Sequence, residues 1–223
     1  MTDLSPQRKP AKIALADDQT LMRDTLGKYL DSFDQYNVIL LAGNGRELID
    51  NIDPHNLPDL VILDLNMPIL NGYEAAQWLR DNHPSVYVLA LTVIDSDFAF
   101  AMLHKLGVRG VLQKDLNPEE FRKAIDQTIS TGDYHSSHAA RRAVRLLNNI
   151  GSKQSTTGAI ILSGKMIRFL ELARTEMTYK EIALEMKVSH RTVDYYRDEL
   201  FKKWQVRGRT ALVEYAIKNG VII

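Results

Sequence analysis

The chain has 223 residues, 45% of them hydrophobic, with 28 Lys and Arg balancing 28 Asp and Glu; that much apolar surface builds real cores and excludes a disordered chain. There is no cysteine, which excludes disulfide frameworks, Cys-bound zinc, iron–sulfur clusters and thiol nucleophiles. The zero net charge conceals 12 basic against 19 acidic side chains over residues 1–130, 4 against 1 over 131–157 and 12 against 8 over 158–223, so two parts with different partners are expected. The polar start of the chain has no signal-like apolar stretch, and no apolar run is long enough for a membrane span, so a soluble cytoplasmic protein is the expectation.

In chain order, Lys12–Ala16 reads as a short apolar strand ending at Asp17-Asp18, and Thr20–Phe33 has helical spacing. Val38–Ala42 is a second strand and Gly45–Ile52 a short helix. Asp59–Leu63 is a strand ending at Asp64, followed by a helix over Tyr73–Asp81. Val86–Leu91 is a strand ending at Thr92, followed by a helix over Asp95–Leu106. Val108–Leu112 is a strand ending near Lys114, and Pro118–Ile129 is a helix. Five nearly continuous apolar strands alternating with helices imply a doubly wound parallel sheet covered on both faces. Beyond Ser130 the pattern changes. Ala139–Ile150 reads as a helix, Gly151–Gly158 as a Gly/Ser/Thr-rich linker, and the tail from Leu162 as four helices with short turns. The expected organisation is a domain over 1–130, a partly helical linker over 131–158 and an all-α domain over 159–223.

Asp17, Asp18, Asp64, Thr92 and Lys114 all fall just past the C-terminal ends of predicted strands, where open α/β sheets bind ligands. Crowded carboxylates repel one another, and a hard cation such as Mg²⁺ relieves that repulsion. The shared chemistry would be phosphoryl transfer, with Asp64 as nucleophile and Lys114 neutralising charge on the transferring group. Each residue also has a plainer reading: either Asp of the pair as a helix cap, Asp64 as a loop carboxylate, Thr92 as an ordinary β-branched strand residue, Lys114 as a solvated lysine.

The acidic pair, DLNMPILNG (Asp64–Gly72), ALT (Ala90–Thr92) and GVRGVLQKD (Gly107–Asp115) together resemble the receiver domain of bacterial two-component response regulators over residues 11–130. The resemblance implies a flavodoxin-like fold with Asp64 as phospho-acceptor. It makes Asp18 a direct Mg²⁺ ligand and Asp17 a ligand mainly through water, with the Asn66 backbone carbonyl completing the shell. Thr92 and Lys114 would bind the phosphoryl group. Where the family carries an aromatic residue in the fifth strand, this chain has Val111, so signal transmission would need other side chains. Val93 also stands where many receivers have a smaller residue.

In the tail, Thr178 with Glu181 three residues later is a capping-box signature, and Ser189 is placed to cap a second helix running to about Trp204. Val193, Tyr196, Leu200 and Trp204 form the predicted core stripe; Arg191, Asp194, Tyr195, Asp198 and Lys202 lie opposite. Residues 160–223 resemble the LuxR-type helix-turn-helix of the NarL/FixJ family, through LSGKMIRFLELA (Leu162–Ala173), KEIA (Lys180–Ala183), the Ser189…Thr192-Val193 helix start and VRGRT (Val206–Thr210). Departures are Met166 in place of Glu, Asp194 in place of Lys and Tyr196 in place of His. The expected DNA contacts are Lys180, Lys187, Ser189, Arg191, Thr192, Asp194, Tyr195, Asp198, Lys202, Arg207 and Arg209, with Lys203 as a further phosphate contact. Asp194 and Asp198, opposed by Arg191 and Lys202, would either accept from cytosine N4 or weaken binding; Asp194 equally suits the helix dipole.

Together the resemblances imply a phosphorylation-dependent transcriptional regulator. A sensor histidine kinase would phosphorylate Asp64, and a homodimer would bind paired half-sites on double-stranded DNA. No enzymatic turnover is expected beyond self-phosphotransfer and autodephosphorylation at Asp64. The alternative is a regulator with weak or absent phospho-switching, acting constitutively or through protein partners. An aspartyl-phosphate hydrolase is disfavoured because Asn66 stands where such enzymes place a second Asp.

Overall fold

The structure, a computed structural model, describes residues 9–92, 97–115, 117–134 and 162–222. The chain divides into two compact units. One holds all five strands with α1, α2, α3 and α5; the other holds the four C-terminal helices, and α4 groups with it.

The first unit begins with β1 (Ala11–Ala16), α1 (Thr20–Asp31), β2 (Tyr36–Ala42), α2 (Gly45–Asn51) and β3 (Leu60–Asp64). It continues through α3 (Gly72–Asn82), β4 (Tyr87–Thr92) and, after α4 (Asp97–Lys105), β5 (Gly110–Gln113) and α5 (Pro118–Thr131). The sheet order is β2-β1-β3-β4-β5, every pair parallel. The chain order reverses between β1 and β3, which makes their carboxyl ends the place where a ligand crevice opens. Leu60–Asp64 is buried along its whole length, as a central parallel strand sandwiched by helices must be. Alternate residues build one core: Ile13, Leu15, Leu60, Ile62, Leu89, Leu91 and Leu112 meet Leu30 of α1 and Phe121, Ala124 and Ile125 of α5. At about 25 cal/mol per Å² of apolar area, burial of such a set is the main term holding the sheet to its helices.

Two sequence expectations shift by a residue or two. Asp64 and Thr92 are the last residues of their strands rather than the first beyond them, because the ladder continues through Asp64↔Leu91 and Thr92↔Gln113. β5 starts at Gly110 rather than Val108, after Gly107 takes a φ of +84°. The expected helix over Ala139–Ile150, the linker over Gly151–Gly158 and Val93 lie outside the described residues.

The second unit contains α6 (Gly164–Ala173), α7 (Tyr179–Glu185), α8 (His190–Trp204) and α9 (Arg209–Lys218). Three of these starts are capped by a hydroxyl: Ser163 accepts from Met166 N, Thr178 from Glu181 N and Ser189 from Thr192 N. The Glu181 carboxylate in turn accepts from the Thr178 amide at 2.7 Å, closing the predicted box. The Thr178 amide and hydroxyl, both donating to Glu181 Oε2, hold the Glu181 carboxyl below its ordinary range. Met166 occupies the equivalent position of α6 and has no carboxylate to do this. α7 ends where Val188 N reaches Ala183 O at 3.0 Å and Lys187 takes a φ of +52°, which makes the tight turn into α8. Val193, Tyr196, Leu200 and Trp204 are buried as the stripe predicts. Tyr196, the departure from His, sets its ring 6.3 Å from Phe169, and Trp204 stacks on Tyr215 at 4.8 Å.

Candidate functional site

The three acidic residues of the sequence constellation meet at the β1/β3 switch point. Asp17, Asp18 and Asp64 each present a carboxylate oxygen within 4.8 Å of the others. Asp17 and Asp64 are buried and Asp18 is exposed, so the cluster has a wet mouth and a dry floor. Lys114, arriving from just after β5, donates to Asp17 Oδ2 and Asp64 Oδ2, both at 2.9 Å. Its backbone is fixed by a bond from Lys114 N to Thr92 O at 3.1 Å, so Thr92 closes the same corner, almost fully buried.

Neither acid of the pair is a helix cap. The N-cap of α1 is Gln19, with no side-chain capping bond, while Asp17 Oδ1 accepts from Gln19 N at 2.8 Å. That bond fixes the rotamer of Asp17 and leaves its other oxygen for Lys114. Asn66 N donates to Asp64 Oδ1 at 3.3 Å. The loop after Asp64 can run this close because residue 72 is glycine. A Cβ there would lie 2.1 Å from Asp64 O, while Gly72 N bonds Leu65 O at 3.0 Å. In the same loop Ile69 takes a φ of +68° and is exposed, a strained conformation for a β-branched residue.

Charge in the pocket does not balance. Burial pushes the Asp64 carboxyl up, the bonds to Lys114 pull it down, and the Asp17 charge pushes it up again; the net direction is upward. Burial also works against the Lys114 ammonium, but its two carboxylate partners outweigh this and hold it above the ordinary lysine value. The two shifts agree once the stoichiometry is counted: one ammonium serves two buried acids, and a third stands beside them. An all-oxygen donor set with excess negative charge at a sheet edge fits a hard divalent cation such as Mg²⁺.

The outward face of the second unit differs from expectation in two respects. Lys180, Lys187, Arg191, Tyr195, Asp198, Lys202, Lys203 and Arg207 are exposed, and Ser189 and Thr192 are engaged with each other in the α8 cap. Arg209 is withdrawn: its guanidinium donates to the carbonyls of Ala173, Met177 and Thr175 at 2.7, 2.5 and 2.7 Å, and more weakly to Leu172. It ties down the chain at and beyond the end of α6, because the last carbonyls of a helix lack internal partners. Sequence reading also missed Arg197. It bonds Asp194 Oδ1 at 2.8 Å and Asp198 Oδ1 at 2.8–2.9 Å, so it, and not Arg191 or Lys202, is the cation that opposes the two acids. The spacing carried half of the signal: Asp194 stands three residues before Arg197, within reach on a helix, whereas neighbours one apart, such as Asp198, do not normally face each other.

Two family models match the chain: the response regulator receiver domain over residues 13–126, and the bacterial regulatory proteins of the luxR family over 161–216. Among curated relatives, the transcriptional regulatory protein LnrK of Bacillus subtilis is 27% identical over 95% of this chain and 99% of its own. The oxygen regulatory protein NreC of Staphylococcus carnosus is likewise 27% identical over the same shares. Among solved structures, the response regulator RcsB of Salmonella typhimurium aligns with a TM-score of 0.70 at 22% identity, covering 96% of this chain and all of that one. RcsB bound to promoter DNA in the presence of the phosphomimetic BeF3⁻ aligns at 0.68, with 21% identity over 92% of this chain and 98% of that one.

Proposed function

The chain belongs to the response regulators of the NarL/FixJ family, and from that premise we propose that it is switched by phosphorylation of Asp64. It is a DNA-binding transcriptional regulator of receiver-plus-LuxR type rather than a classical enzyme. Among the described residues no helix is long and apolar enough to cross a membrane; the reading puts the protein in the cytoplasm, beside its DNA. The proposed domain limits are 1–130 and 159–223, joined by 131–158.

The observation that carries the proposal is the joint contact of Lys114 with Asp17 and Asp64 at 2.9 Å beside the third acid. Asp17, Asp18 and Asp64, with the Asn66 carbonyl, are the proposed holders of Mg²⁺. When bound, Mg²⁺ supplies positive charge to the phosphoryl oxygens. An Asp64 oxygen forms the new P–O bond as the P–N bond to a kinase histidine breaks, and the leaving nitrogen keeps that electron pair. Lys114 follows the developing charge, and the Thr92 hydroxyl donates to a phosphoryl oxygen. The phosphorylated form is proposed to dimerise and occupy paired half-sites. Intact-mass spectrometry with Mg²⁺ and an acyl phosphate donor tests this: one phosphoryl group should be gained, and none by Asp64→Asn. No uptake by the wild type would remove the proposal.

Val111 favours a second reading. It is half-buried and pairs with Ala90 on the sheet, where an aromatic ring would relay the state of Thr92. If that relay is lost, DNA affinity and hydrodynamic size will be the same with and without donor. A gel-shift and size-exclusion titration separates the two readings.

A further inference from the structure

α8 presents an acid at the centre of a face that is offered to DNA. At about 100° per residue, Arg191, Tyr195, Asp198 and Lys202 point away from the buried stripe, while Asp194 lies to one flank. The two acids are not equivalent. Asp194 is two-thirds buried and has both oxygens taken, one by Arg197 Nη1 at 2.8 Å and one by His190 Nδ1 at 3.0 Å. Asp198 is 64% exposed, and only its Oδ1 is used, by Arg197 Nε and Nη2 at 2.9 and 2.8 Å. Its Oδ2 has no hydrogen-bond partner among the described residues.

Arg197 is itself held. Its guanidinium lies over the Tyr179 ring at 5.4 Å, anchored from α7, while its fork spans the two carboxylates. A bare carboxylate would be driven from a groove lined by phosphates. One whose charge is partly offset by a fixed guanidinium, shared here with Asp194, and whose second oxygen stays open, is instead a pre-oriented acceptor.

A carboxylate only accepts, and the donors on the major-groove edges are the amino groups of cytosine and adenine. Adenine sets its N7 lone pair beside that amino group, which repels the carboxylate; cytosine sets a C–H there. We propose that Asp198, braced by Arg197, is a specificity-determining residue that fixes a cytosine in each half-site. This rests on the DNA-binding role of the second domain.

Selection from a randomised duplex pool with the full-length protein tests it. The wild type should enrich one cytosine per half-site. Replacing that base by a pyrimidine lacking the 4-amino group should weaken binding about tenfold, the worth of one charged hydrogen bond. Asp198→Ala should bind both duplexes equally. Asp198→Asn, whose amide donates as well as accepts, should move the preference towards adenine. Both variants alter an exposed side chain, so an unchanged melting curve certifies the fold. A selected site with no fixed cytosine, or an unchanged preference in Asp198→Ala, overturns the proposal while leaving DNA binding intact. A wild type that selects no sequence overturns both.

Discussion

The two units place their working side chains by opposite means. In the first, Asp17, Asp64 and Thr92 are buried at the ends of strands, and the sheet leaves them almost no freedom. Their positions follow from parallel pairing, and backbone contacts such as Lys114 N to Thr92 O set the register. In the second, the working face is solvated, and what each charge can do depends on which neighbour holds it. Burial concentrates charge until something must neutralise it; exposure lets side chains neutralise one another. In the proposed function, the first unit uses that concentration to respond to an ion or a phosphoryl group, and the second uses its exposed charges to read a surface.

That contrast breaks most readily at the residues that hold each frame together. Gly72→Ala drives a methyl into Asp64 O and should cost about 3 kcal/mol, at the upper end for overpacking. Denaturant titration should show the loss in the first unit's transition. In the second unit, Arg209→Met strips the donor from carbonyls around the end of α6 and should cost about 2 kcal/mol, the scale of charged hydrogen bonds. In the folded variant the salt dependence of DNA binding should be unchanged, since a guanidinium committed to carbonyls releases no counterions.

These two residues also mark how far the sequence could be read. The strand ends were legible because continuous apolar runs stop at charged residues, and their convergence follows from parallel order alone. Asp64 and Thr92 came out one residue inside their strands only because pairing does not stop where hydrophobicity does. Gly72 was visible as part of a motif, but its steric role needed the loop path. Arg209 and Arg197 were harder still. Arg209 carries no mark in sequence of whether it faces a phosphate or a carbonyl, and Arg197 shows only its three-residue spacing from Asp194, the carboxylate it holds at 2.8 Å. Residues 135–161 fall outside the described chain, so the linker reading stands only as an expectation.

The charge imbalance of the first pocket gives a pH signature opposite in sign to that of the lowered Glu181 carboxyl in the second unit. Asp64 has a folded pKa raised above its ordinary 3.8, so the folded state favours its protonated form. The stability from that proton is present below about 3.8 and lost as pH rises through the raised value. Asp64→Asn mimics the neutral form. Without Mg²⁺ it should melt above the wild type at neutral pH, and the gap should close towards pH 4. Added Mg²⁺ should raise the wild-type melting temperature and leave the variant's nearly unchanged. Equal melting curves at neutral pH would mean that Lys114 already balances the pocket.

The smallest effect sharpens the comparison further. Ile69 in the first unit and Gln205 in the second both take left-handed backbone, at φ of +68° and +54°. A left-handed residue costs about 1–2 kcal/mol, and a β-branched one sits at the upper end. Glycine removes that strain but adds about 0.5–1 kcal/mol of entropy to the unfolded chain. Ile69 is 68% exposed, so little packing is lost, and Ile69→Gly should come out stabilising by about 1–1.5 kcal/mol. Gln205 is unbranched and caps α8, accommodating its conformation at lower strain, so Gln205→Gly should gain less. Paired denaturation midpoints decide it: a larger gain at Gln205 would mean that the strained loop beside Asp64 is no tighter than an ordinary helix end.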